Sequence, residues 1–187
     1  MIKYFEKIEY IVQRIKGLEF KKIMFERGDI FKVCIDDRKF LFDFSKVRNE
    51  LESKYGSFMA QIVLRSIFDI LDALENTVIE TFLNKAKEQF VIPEMIHNLR
   101  DPEVAIVISK IGNKFYMYTE IAYDCEWWDE IWGSVCTKEI RDIVEIGYKI
   151  GNRTTLFPPR PPKDVKKIRK KIENEEEERI LRFPLSI

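Results

Sequence analysis

FKKIMFERGDIFKVCIDDRKFLFDF, Phe20 to Phe44, is the stretch whose reading decides the fold. It holds three short runs rich in Phe, Val and Ile, parted once at Arg27-Gly28 and once at Asp36-Asp37-Arg38. Runs of this length separated by turn residues predict a three-strand antiparallel meander. Alternation puts Phe31, Val33 and Ile35 on one face of the second strand. It puts Phe40, Phe42 and Phe44 on one face of the third, with Lys39, Leu41 and Asp43 opposite. Bulky apolar groups on both faces predict a sheet covered on both sides, at least in part.

Working outward, Ile2, Phe5, Ile8, Val12 and Ile15 recur at helical spacing, Tyr4 and Ile11 widen the stripe, and Gly17 stops it. After the meander, Ser45 is the expected N-cap of a helix through Tyr55, with Gly56-Ser57 as a break. Positions 58–71 are apolar almost all round, the pattern of a buried central helix. Past Asn76 the stripe narrows to that of an amphipathic helix, which Pro93 ends. A short turn over 94–100 precedes Asp101-Pro102. Val104 to Ser109 and Lys114 to Tyr123, joined at Gly112-Asn113, form a second hairpin. Thr137 is read as the cap of a helix to Ile150. Pro158 to Pro162 read as a stiff extended spacer, and Asp164 as the cap of a charged helix to about Arg182. The fold class is therefore α+β: N-terminal helix, three-strand meander, long buried helix, second hairpin and a helical C-terminal part. The expected division is a globular domain over 1–157 and a spacer with a charged helix and tail over 158–187.

The chain has 187 residues and a mass of 22.4 kDa, room for one well-buried domain. Lys+Arg and Asp+Glu both number 32, a balance that disfavours a strongly basic nucleic-acid binder without forbidding a local stripe. The charged fraction of 34%, beside a single histidine, resembles hyperthermophile composition. Cys34, Cys125 and Cys136 lack C-x-x-C spacing; a zinc site would need all three and His97, so buried thiols are preferred, with a Cys125–Cys136 disulfide as the other option. His97 itself is read as a surface or core residue. Charged residues break every apolar window short of a membrane span, and a cytoplasmic protein is expected.

The order helix–three strands–helix–strand, with GDIFKVCIDDRKFLFDFSK from Gly28, resembles the core of the restriction-endonuclease-like PD-(D/E)xK nucleases. The resemblance implies Asp29 and Asp43 as metal-holding carboxylates, Lys46 as the catalytic lysine, Glu9 as a helix acid, and Mg²⁺ or Mn²⁺ as cofactor. Asp43 and Lys46 stand three apart, where the family motif has two. The order also resembles small helix–three strands–helix RNA-binding domains. In that case Lys46, Arg48 and Lys54 would meet phosphates, with Glu50 and Glu52 between them.

Two further segments look built to be docked. In YDCEWWDEIWG, read as a helix, Trp127, Trp128 and Trp132 share a stripe with Ile131 and Val135, ringed by Asp124, Glu126, Asp129 and Glu130. An aromatic patch with an acidic rim suits a protein partner better than phosphates. In the tail, Lys166 to Lys171 precede Glu173 to Glu178, against the helix macrodipole. An antiparallel second copy would reverse that polarity, with Phe183 and Leu185 anchoring on it. The expected function is thus a non-enzymatic protein-interaction or assembly module that needs no cofactor. The alternative is a nucleic-acid-binding protein or a metal-dependent nuclease.

Overall fold

The computed structural model describes residues 2–89, 94–129 and 133–186. In chain order they form α1 (Ile2–Lys16), β1 (Ile23–Glu26), β2 (Ile30–Ile35), β3 (Arg38–Asp43), α2 (Phe44–Gln89) and α3 (Glu94–His97). There follow β4 (Glu103–Ile111), β5 (Lys114–Asp129), β6 (Gly133–Ile150), β7 (Arg153–Arg160), α4 (Val165–Glu173) and β8 (Glu178–Leu185). The class is α+β, with antiparallel pairing throughout the ladders β1–β2–β3, β1–β7 and β5–β4–β8. The chain divides into two compact units, Met1–Asn84 with Gly147–Pro158, and Lys85–Ile146 with Pro159–Ile187.

In the first unit the meander forms as its punctuation dictates. Ile35 pairs with both Ile23 and Arg38 around the Asp36-Asp37 turn, and β7 joins the free side of β1 through Ile23↔Leu156 and Glu26↔Arg153. Phe31, Val33, Ile35, Phe40 and Phe42 are buried. On the other side Ile30 and Leu41 are exposed while Met24, Lys32 and Cys34 are half-buried, so the second face is covered only in part. The buried stripe of α1 is Tyr4, Ile8, Ile11 and Ile15, rotated away from Phe5, which is exposed. Ser45 does not cap α2. Asp43, the last residue of β3, does so: its Oδ1 accepts the Lys46 backbone N–H at 3.1 Å.

The second unit is where a sheet is covered twice. Val104 to Ile108 of β4 are buried without interruption. Alternate residues feed two clusters: Ala105 and Val107 join Tyr116, Tyr118, Ile140, Ile143 and Ile172, while Val104 joins Ile96 and Ile121. The first is closed by α4, the second by α3.

Three helical expectations fail in this part of the chain. Residues 137–150 are strand, not helix. Asp142 has φ 54°, so the strand carries an irregularity that brings Ile140 and Ile143 onto the same core, and this imitates a helical i, i+3 spacing. Residues 124–129, read as the start of a tryptophan helix, continue β5, and the Asp124 backbone N–H is tied to the Arg100 carbonyl at 3.1 Å. The tail is no long helix on a spacer. Pro158 and Pro159 lie in β7; α4, capped by Asp164 as expected, ends at Glu173; and Glu178–Leu185 pair antiparallel with β4.

The Cys125–Cys136 disulfide is formed, with an S–S distance of 2.04 Å, rather than two buried thiols; Cys34 is a half-buried free thiol. Among the described residues no helix is long and apolar enough to cross a membrane.

Candidate interaction surface

α2 is two helical arms joined at one residue. Gly56 has φ 79° and ψ 166°, a backbone region open essentially only to glycine, so the arms 44–55 and 57–89 meet at an angle. The angle is sharp. Phe44 and Phe68, each twelve residues from Gly56, bring their rings to 5.5 Å. Leu51 and Ala60 are buried on either side of the bend, which makes the element a helical hairpin with its tip at 55–59.

The inner side of the long arm is core: Ala60, Ile67, Leu71, Leu74, Val78 and Phe82 are buried at i, i+3, i+4 and i+7 spacing. Arg27 anchors this arm to the meander through Asp72, and through Glu75 at 3.2 Å.

The expected burial of 58–71 on all sides does not occur. Phe58 is 76% exposed, Phe68 48%, Met59 47%, Ile62 46% and Tyr55 41%. A groove of about 370 Å³ runs between the arms, lined by Phe44, Arg48, Gln61, Leu64, Arg65 and Phe68. An exposed apolar tip beside an apolar groove is an arrangement a monomer rarely carries without a role. In the sequence, the apolar run was the signal for burial. Arg65 and Asp69 inside that run, both exposed and 4.0 Å apart, were the sign that one side faces solvent.

The residues named for nuclease chemistry are brought together only in part. Asp43 and Lys46 share a cleft of about 350 Å³ with Lys3, Tyr4, Lys7 and Glu50, but Asp43 is engaged as the helix cap. Tyr4 donates to Glu50 at 2.7 Å and Lys3 pairs with it at 2.9 Å; these hydrogen bonds hold the Glu50 carboxyl below its usual range. Burial, then the Glu50 contact, raises the Tyr4 phenol. Asp29 sits exposed in the turn before β2 and does not line the cleft, and Glu9 is a solvated residue accepting from Gln13 at 3.4 Å. His97 is exposed at the end of α3. Among the described residues no group of three His, Cys, Asp or Glu side chains is placed to hold a metal ion.

The expected docking residues of the tail are occupied within their own unit. Leu185 packs on Ile96, Val104 and Ile121, and Phe183 lies under the Lys87 ammonium, 3.2 Å from its ring centroid. The acidic run is used as well. Glu177 accepts from the Tyr118 hydroxyl and from Arg179 at 3.2 Å; the buried Glu120 accepts from Arg179 at 2.6 Å and from Arg182 at 3.4 Å. Burial, then the Glu177 contact, pushes the Tyr118 phenol well above its ordinary value. Burial opposes the Arg179 charge, but Glu120 and Glu177 outweigh it and raise that guanidinium.

Of the tryptophan segment, Trp132 lies outside the described residues. Trp127 and Trp128 belong to β5 by backbone, and their side chains lie outside the described ones too. The disulfide closes the β5–β6 hairpin at the base of this segment. No family model, curated protein or solved structure matches the chain.

Proposed function

We propose that this protein is a non-enzymatic interaction module whose main docking element is the helical hairpin of α2. The observation that carries the reading is the solvent-facing apolar surface at Tyr55, Phe58, Met59, Ile62 and Phe68. Aromatic side chains left in water on one projecting element are the usual anchors of a protein interface. The acidic tryptophan segment, tied at its base by Cys125–Cys136, serves as a second docking element. The residues of the tail keep their own unit closed and are removed from the docking role. The test is a photo-cross-linking amino acid placed at Phe58 of the full chain, with the same group at exposed Arg100 as control. Cross-linked protein is expected from position 58 and not from position 100. No cross-link from position 58 overturns the reading.

A further inference from the structure

We infer that the α2 tip and the α2 groove are two halves of one self-complementary contact. Phe58 of one copy of this chain enters the groove between Phe44, Leu64 and Phe68 of a second copy, and reciprocally, about a two-fold axis near Gln61. The inference rests on the docking reading above and names its partner.

The geometry follows from helical spacing. Phe58, Gln61, Ile62, Arg65 and Phe68 follow one another closely enough to run along the outer side of the long arm and its groove edge. Two such arms laid antiparallel with Gln61, itself a groove residue, at the axis put Phe58 of each opposite Leu64 of the other. There it stands between the partner's copies of Leu64, Arg65 and Phe68. Every contact then occurs twice, which is the condition for a closed pair rather than an open chain.

The shapes fit this arrangement. Phe58 is the most exposed large apolar side chain among the described residues, at 76%, and stands at the tip as a knob. The groove of about 370 Å³ is ample for its ring, given that a cavity of about 150 Å³ takes a benzene molecule. Arg48 and Arg65 flank the groove. Arg65 makes only a loose pair with Asp69, at 4.0 Å with both side chains exposed, so its guanidinium is available to stack on the entering ring.

The area suffices too. Aromatic side chains offer about 150–250 Å² each, so the exposed parts of Tyr55, Phe58 and Phe68 supply roughly 300 Å² per copy. Ile62 and the half-buried Phe44 and Leu64 bring the apolar centre to about 450 Å², by the same reckoning of roughly 25 to 75 Å² from each. With a polar rim of Arg48, Gln61, Arg65 and Asp69 the contact approaches the roughly 800 Å² per partner of a stable interface, mostly apolar at its centre.

The experiment is sedimentation velocity on the full chain from about 1 to about 200 µM, a span that resolves micromolar dissociation constants. A dimer mass is expected. Phe58→Asp, and separately Leu64→Arg, should each weaken the pair by at least about 30-fold, the loss typical of a central anchor. An equimolar mixture of these two variants should regain the dimer. One of its two contacts then joins an intact Phe58 to an intact groove, and in the other the introduced carboxylate meets the introduced guanidinium. That pairing needs Phe58→Asp to supply the groove and Leu64→Arg to supply the ring in different chains, so a mixture of either variant with itself should stay monomeric. If Leu64→Arg lowers the melting temperature, Phe68→Arg takes its place in the mixture. A wild-type monomer at every concentration, or a mixture of the two variants that stays monomeric, overturns the two-copy proposal. In the cross-linking test above, products at twice the chain mass support it. Products of other masses from a monomeric chain remove the second copy yet leave the docking reading standing. No product at all removes both.

Discussion

The α2 hairpin and the C-terminal strand β8 carry similar loads of apolar and charged residues and meet opposite fates. In β8, Leu185 finds a core cluster, Arg179 and Arg182 find Glu120, and Glu178 finds Lys110 at 3.4 Å. In the α2 tip, Phe58, Met59 and Ile62 find water. Charge polarity in the tail suggested a missing partner, yet its own unit supplies partners for these residues. The uncompensated surface belongs instead to a segment whose composition suggested burial. Unmet apolar area, not unusual charge, marks the docking element we propose.

Breaking the self-sufficiency of the second unit should give the largest effects. Replacing both Cys125 and Cys136 by Ser should lower its stability by about 3 kcal/mol, the constraint of a loop of this order. All three tryptophans lie in the second unit's sequence, so their fluorescence in a denaturant titration reports on it. Glu120→Ala removes the buried carboxylate that two guanidiniums share, leaving Arg179 with Glu177 and Arg182 with Glu103 at 3.8 Å. Both arginines are about one-third exposed, so the loss should be about 2 kcal/mol rather than the roughly 3–5 of a fully buried pair. The same titration measures it, and no change would show that Glu177, Glu103 and water already serve those arginines.

A pH series sharpens the point. The Tyr118 phenol is raised in the folded state, so its contribution is fully present below the ordinary phenol value of about 10 and is lost as pH rises above it. Tyr118→Phe should flatten that alkaline decline.

The first unit should respond less. Asp43→Ala removes the cap of α2 and should cost about 1 kcal/mol by thermal melting, whereas Ser45→Ala should change stability by less than about 0.5 kcal/mol. Smallest of all, Phe58→Asp should leave the melting temperature of the dilute chain within the effect of about 0.5 kcal/mol while changing its association. A large loss of stability there would mean that the tip is part of the fold, and the contrast between the two regions would fail.

The meander was legible because its signals are local. Turn residues sit where strands end, and Ile35 and Arg38 meet across Asp36-Asp37 as their spacing requires. The Gly56 break, the α3 turn and the Gly112 hairpin were legible for the same reason. What misled was spacing without context. Ile140 and Ile143 sit three apart on one core because of the irregularity at Asp142, and no pattern of hydrophobicity alone distinguishes that from a helix. The tail was misread because Glu178 to Leu185 acquire a strand's hydrogen bonds only from β4, far away in sequence. The exposed hairpin was misread for a related reason. An apolar run reports that area is to be covered, and says nothing of whether the chain itself does the covering.

The way the two units interleave along the chain sets an order of events during synthesis. The first unit needs Gly147–Pro158 to supply β7 beside β1, so it stays unfinished when Asn84 has left the ribosome. At a typical elongation rate of about 5–20 residues per second, it waits roughly 4–15 s for that strand. The second unit waits for its own last ladder, since β8 pairs with β4 and is translated only after β5, β6, β7 and α4. During those intervals β1 and β4 each hold an open edge, the kind of surface that pairs with neighbouring nascent chains. Translation through 85–158 therefore sets how long the β1 edge stands without its β7 partner.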